Sequence, residues 1–212
     1  MELDDFIRAS TAVERPPLVP EIKLHLATEL TPLWHATESY LNQRNIGAPF
    51  WAFAWVGGQA LARYILDRPS AVEGKDIVDI GSGGGIVSIA AAMAGAAHVV
   101  ALDVDPLADA VCRMNAALNG VDAAITTETA DAIGFDLSPF DLILVGDVCY
   151  TRGESQELAE HVRKQAAPVL FGDPGRQFMP RADLELLASY SVQTSKEIEA
   201  SEITEASVWR MI

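Results

Sequence analysis

Three clusters of residues in this 212-residue chain could do chemistry. In the first, the apolar run Val78-Asp79-Ile80 ends in Gly81-Ser82-Gly83-Gly84-Gly85. Glycine lets backbone approach a ligand closely and reach φ > 0, and a helix starting just beyond aims free N–H groups at that ligand. The second is Val99-Val100-Ala101-Leu102-Asp103, an apolar run closed by an acid that can accept two hydrogen bonds from a ribose diol. The third is Phe140 to Gly146 followed by Asp147-Val148-Cys149-Tyr150, where a carboxylate and a phenol could hold a nitrogen nucleophile. Turn and acid together imply a nucleoside, and leave open which one.

A dinucleotide site expects G-x-G-x-x-G. Here position 86 is Ile, so the third glycine is displaced by one residue, while Asp103, 18 residues after Gly85, suits either kind of cofactor. Asp79 lies two residues before Gly81, where a pyrophosphate would be repelled. A ligand carrying an ammonium and a sulfonium would be attracted, and S-adenosylmethionine is such a ligand. Asp79 could equally be bonded to neighbouring backbone. Asp131, in Thr129-Ala130-Asp131-Ala132, could meet an adenine amino group or be an ordinary loop acid.

These residues need elements to position them. From Lys75 the pattern alternates: strands at 75–80, 98–103, 123–128, 140–146 and 168–172, with helices at 85–95, 106–119 and 153–165. Such alternation implies a parallel sheet covered by helices on both faces. A helix at 181–190 and two β segments near 191–198 and 205–212 complete the reading. Two strands without a helix between them suggest an antiparallel hairpin at the sheet edge. Upstream, a short helix precedes Pro16-Pro17, and 21–26 alternates as a strand. Thr31-Pro32 reads as the start of a helix running to about Asn45. The aromatic loop 49–58 is followed by a helix from about Gln59 to Leu66. Residues 1–45 read as an N-terminal extension and 46–212 as one domain.

Composition narrows the classes. Net charge is −15, with 30 acidic against 15 basic residues, which opposes binding to nucleic-acid phosphates and favours a basic partner or simple solubility. No apolar run approaches the roughly 20 residues of a membrane span, and the acidic start resembles neither a signal nor a transit peptide. A soluble, cytoplasmic protein is expected. Cys112 and Cys149 form no C-x-x-C pair, and the four isolated histidines show no metal-ligand spacing, so no metal is expected.

The order hhDhGxGxG, an acid-ending second strand, Asp131 after the third and Asp147-x-x-Tyr150 after the fourth resembles the seven-β-strand, class I methyltransferases. Within them the chain is most similar to the electron-transfer-flavoprotein β-subunit lysine methyltransferases. Phe50-Trp51-Ala52-Phe53-x-Trp55-x-Gly57-Gly58-Gln59-Ala60-Leu61-x-Arg63-Tyr64 and Gly172-Asp173-Pro174-Gly175-Arg176 carry that likeness, which spans roughly residues 45–212. It departs at Gly84, where some relatives have Cys. The resemblance implies a Rossmann-like, doubly wound sheet of seven strands, mostly parallel with an antiparallel C-terminal edge hairpin. It implies that Asp79, Gly81 and Gly83 hold the methionine part of S-adenosylmethionine, with Gly85 of the same turn among the cofactor-binding residues. Asp103 would hold the ribose, Asp131 and Ala132 the adenine, and Trp55 would line the pocket. Asp147 and Tyr150 would be the catalytic pair where the lysine enters. Asp173 and Arg176 would contact substrate or merely form a turn. The implied partner is a basic, lysine-bearing protein, an electron-transfer-flavoprotein β subunit foremost. Another protein such as a ribosomal one, a small amine, or a non-catalytic cofactor-binding module are the alternatives.

A lysine acceptor sets an energetic constraint. With a reference pKa near 10.4, neutralising it at pH 7 costs roughly 4.6 kcal/mol, at about 1.36 kcal/mol per unit. A neighbouring anion such as Asp147 favours the charged amine, so capture and orientation is its expected role.

Overall fold

The computed structural model describes residues 3–36, 47–194, 199 and 202–212. The chain opens with α1 (Leu3–Ser10), β1 (Ala12–Glu14) and β2 (Leu24–Leu26), the two strands paired antiparallel. Then come α2 (Val56–Asp67), β3 (Asp76–Ile80), α3 (Ile86–Met93), β4 (His98–Asp103), α4 (Pro106–Asn119) and β5 (Ile125–Thr129). The remaining elements are β6 (Leu142–Gly146), α5 (Arg152–Arg163), β7 (Val169–Asp173), β8 (Leu184–Gln193) and β9 (Ile203–Met211). Among the described residues no helix is long and apolar enough to cross a membrane.

The seven-stranded sheet has the order β5-β4-β3-β6-β7-β9-β8. β5 to β7 run parallel, while β9 lies antiparallel to both β7 and β8, giving the expected edge hairpin. Alternate residues of the central strands feed two separate cores. Ile77, Val99, Leu142 and Leu144 pack against α2 and α3, whereas Val78, Val100, Ile143, Val145 and Phe171 pack on the side of Val162 from α5. Period-two alternation sends neighbours to opposite faces, so apolar strands of this kind need a helical layer on each. Chain order reverses between β3 and β6, and the crevice beyond the carboxyl ends of such strands is where open α/β sheets take ligands.

Two expectations fail. Residues 181–190 are not helical: β8 begins at Leu184, with a register shift between Leu186 and Ala188. Leu, Glu and Ala there favour a helix in isolation, but pairing with β9 along nine residues of that strand outweighs propensity. Residues 31–35 form turns rather than a helix start, and the expected helix beyond 36 lies outside the described residues. The aromatic loop contains a 3-10 turn at Phe50–Ala52, and α2 begins three residues earlier than expected.

The described part of the amino-terminal segment, residues 3–36, packs on α4. Ile7, Ala27, Leu33 and Trp51 share a core with Leu107, Val111 and Met114. Two asparagines of α4 take over strand edge β2. Asn119 exchanges hydrogen bonds with Lys23 through both backbone groups (2.9 and 2.7 Å), and Asn115 Oδ1 accepts from His25 N–H at 2.8 Å.

Candidate active site at the carboxyl ends of β3, β4 and β6

The glycine turn leaves β3 and enters α3 through Gly85, whose φ of +82 caps the helix and whose position has no room for a Cβ, because Cys112 Sγ would lie 2.5 Å away. This compact turn is held from both sides. Asp103 Oδ2 accepts from Gly83 N–H (2.8 Å) while its Oδ1 accepts from Asp105 N–H (3.0 Å). From behind, the fully buried Asn115 donates to the Gly84 carbonyl at 2.8 Å. Asn115 is a positioning residue that sequence reasoning missed. Its signal was an amide on an otherwise apolar face of α4.

Asp79 is 1% exposed and accepts from both Ser88 N–H (3.0 Å) and Ser88 Oγ (2.6 Å). Burial pushes its carboxyl up to about 7, the Ser88 hydrogen bonds hold it down, and Asp103 adds to the rise. It therefore combines both sequence readings: bonded to a neighbour, yet lining a narrow recess of about 40 Å³ with Trp55, Gly81 and Gly83. Gly81 also lines a wider cavity of about 290 Å³ with Leu102, Asp103, Asp131 and Ala132. The two spaces meet at Gly81. A nucleoside-sized cavity with an acid where a ribose would lie, continuing into a recess with a second acid, fits S-adenosylmethionine. Asp131 is exposed, with Oδ1 accepting from Ile133 N–H at 2.9 Å, and Ala132 is buried in the cavity wall.

The fourth strand delivers a different chemistry. Asp147 adopts φ +57, a left-handed conformation that Asp tolerates better than most residues, and this turns its side chain back into the protein. Oδ2 accepts from Gly57 N–H at 2.8 Å and Oδ1 from Arg176 Nε at 2.8 Å. Arg176 in turn grips Glu199 with both terminal nitrogens (2.6 and 3.1 Å), and its guanidinium carbon lies 5.0 Å from the Tyr150 ring centre. Burial works against the Arg176 charge, but the hydrogen bonds to Asp147 and Glu199 and the charge of Asp147 win and push its pKa up. Burial, then the Asp147 charge, pushes the Tyr150 phenol up as well. Asp147 and Tyr150 thus both face Arg176, but the Asp147 carboxylate is buried and already paired to that cation, so the direct capture of the amine expected of it from the sequence does not hold. Arg176 is drawn into the site, and Glu199, for which the sequence carried no signal, joins it.

Tyr150 belongs to an aromatic cluster. It stacks on Phe50 (5.8 Å between centroids) and meets Trp55 edge-on (5.9 Å), while Phe53 also meets Trp55 edge-on at 5.8 Å. The Trp55 indole donates to the Phe50 carbonyl at 2.8 Å. The two cysteines are buried and unpaired, burial pushing Cys149 up to about 12, so neither is poised as a nucleophile.

Comparison with known proteins agrees with this geometry. A family model described as ribosomal protein L11 methyltransferase (PrmA) matches residues 60–146. The electron transfer flavoprotein beta subunit lysine methyltransferase of Xenopus laevis is 36% identical, covering 96% of this chain and 85% of its own length. The Homo sapiens protein of the same description is 34% identical, over 98% of this chain and 81% of its length. Among solved structures, a ribosomal protein L11 methylase from Lactobacillus delbrueckii subsp. bulgaricus aligns with TM-score 0.53 at 20% identity, over 76% of this chain and 81% of that one. An RNA methyltransferase from Salinibacter ruber, solved with S-adenosyl-L-homocysteine, aligns with TM-score 0.52 at 20% identity, over 71% and 90%. At that identity the two structures share the fold.

Proposed function

The chain belongs to the electron transfer flavoprotein beta subunit lysine methyltransferases, and we propose that it methylates lysine side chains of such a β subunit, using S-adenosylmethionine. One contact carries the reading beyond family membership. A Cβ on Gly81 would fall 2.5 Å from Val148 Cγ1, so the segment bearing Asp147 and Tyr150 lies directly against the glycine turn. Acceptor and donor halves of the site therefore meet across a single residue.

The cofactor supplies an electrophilic methyl group on a sulfonium. What the chain must supply is binding, alignment and exclusion of water. In this reading Asp103 holds the ribose, Asp131 and Ala132 flank the adenine, and Asp79 faces the ammonium beside Gly81, Gly83 and Gly85. Trp55, Phe50, Phe53 and Tyr150 form the aromatic wall beside the reacting atoms. Asp147 anchors the acceptor side by fixing Gly57 and Arg176, and Tyr150 flanks the amine as it arrives.

A ribosomal-protein substrate has weaker support. The match to the ribosomal methyltransferase family ends at Gly146, one residue before Asp147, and so concerns the cofactor half. Transfer of labelled methyl groups to a purified flavoprotein β subunit tests the proposal. Incorporation at lysine is expected, with Asp147→Asn at least tenfold slower. Labelling of a ribosomal protein but not of the β subunit would replace the substrate.

A further inference from the structure

Asp147 is closed to an incoming amine. Its side chain has no exposed surface, and each carboxylate oxygen already accepts a hydrogen bond. The cation beside Tyr150 is instead Arg176, whose side chain remains 22% exposed. Among the described residues, charged and titratable groups reach this point from three places. The end of β6 brings Asp147, Cys149 and Tyr150; the end of β7 brings Asp173 and Arg176; the segment between β8 and β9 brings Glu199. Asp173, buried, accepts from Gly175 N–H and Arg176 N–H (2.6 and 2.7 Å), and burial pushes it up to about 6. α2 and the aromatic segment contribute Gly57, Phe50 and Trp55, none of which titrates. One guanidinium therefore sits between two carboxylates and against the ring where the acceptor is expected.

We propose that Arg176 is a positioning residue whose charge offsets Asp147 and Glu199 where the substrate lysine docks, so that the amine can release its proton there. The inference rests on the reading above that lysine enters beside Tyr150. An amine attacks only through a free lone pair, and two uncompensated carboxylates would hold it as an ammonium, whereas a neighbouring cation favours the neutral form. The proton passes to water, and the amine keeps the electron pair. The surplus negative charge of the cluster still attracts a cationic side chain from outside. Capture and deprotonation are thereby assigned to different groups.

The pH dependence of kcat on a flavoprotein β subunit tests this. In Arg176→Gln the acid limb should move up by about one unit or more, with the rate recovering to within a few fold of wild type above it. Arg176→Lys should keep the limb in place, and Glu199→Gln should move it down. Should Arg176→Gln fail to fold, the opposite-sign shift of Glu199→Gln decides alone. An Arg176→Gln enzyme slowed equally at every pH, or a Glu199→Gln limb that does not move down, would overturn the proposal. A second measurement needs no turnover: titration of a 15Nζ-labelled lysine peptide bound with S-adenosylhomocysteine, expected to show a higher lysine pKa in Arg176→Gln than in wild type. If that difference appears but wild type transfers no methyl, the proposed function fails and the role of Arg176 stands. If wild type methylates and the two proteins titrate the peptide alike, the reverse holds.

Discussion

Gly57 and Gly172 touch backbone to backbone: a Cβ on Gly172 would lie 2.2 Å from the Gly57 carbonyl oxygen, and one on Gly57 would lie 2.4 Å from that of Gly172. Helix α2 and strand β7 are thereby pressed together at the site. Gly172 O also accepts from Asp147 N–H (2.8 Å), and Gly57 N–H reaches the Asp147 carboxylate. Two sequence motifs more than a hundred residues apart thus meet around one acid. Because the nearest obstructing atom is backbone and the next is Leu61 Cβ, Gly172→Ala should lower stability by about 1–3 kcal/mol or more, as overpacking does, and shift Asp147. Thermal melting reads the first effect and methyl transfer the second. Gly153→Ala, in α5 with no atom near its Cβ, is the control and should melt no lower than wild type.

Cofactor binding should strengthen as pH rises through about 7, because Asp79 must be ionised to receive an ammonium. The sign for the free protein is opposite. A carboxyl raised by burial contributes stability below its unfolded value near 3.9 that is lost as pH rises through its folded value, here about 7 for Asp79 and about 6 for Asp173. The free protein should therefore melt lower at pH 8 than at pH 5, and the gain from S-adenosylhomocysteine should grow across that interval. In Asp79→Asn that gain should be small and flat with pH. A gain in wild type that does not change with pH would remove Asp79 from the ammonium site.

Asn115 and Asn119 should separate structure from binding. Both hold β2, but Asn115 also fixes the Gly84 carbonyl. Replacing Asn115 with Ala leaves the buried His25 N–H unpaired, at about 1–3 kcal/mol, while the half-buried partners of Asn119 can turn to water and should cost less. Cofactor affinity, measured calorimetrically, should drop well beyond that of wild type only for Asn115→Ala. Equal affinities in the two variants would show that the turn holds its shape without the amide.

An enzyme of net charge −15 acting on a basic segment should be steered to it. Raising salt from 50 to 500 mM should lower kcat/KM and leave kcat nearly unchanged, since screening acts on encounter. A salt-independent kcat/KM would exclude steering.

Much of the cofactor half was legible because its signals are local. The bounds of β4 and α4 agree with the sequence pattern to the residue, since Asp103 and the Asp105-Pro106 helix start punctuate them within a few positions. The acceptor half was less so. That Asp147 faces Gly57 depends on one left-handed residue, and its pairing with Arg176 depends on a neighbouring strand 29 residues on. Glu199 reaches the same guanidinium from the β8–β9 connection, a closure no local pattern encodes. The helix expected at 181–190 failed for the same reason: its sequence favours one state and its partner strand imposes another.

The asparagine clasp on β2 bears on how the chain is made. Lys23 finds its partner 96 residues later and His25 finds its own 90 residues later. A nascent chain therefore exposes this strand edge until α4 has left the ribosome, and local contacts alone cannot finish the amino-terminal segment. Since Asn115 also secures the glycine turn, neither that turn nor the edge of β2 can reach its final form before α4 is made.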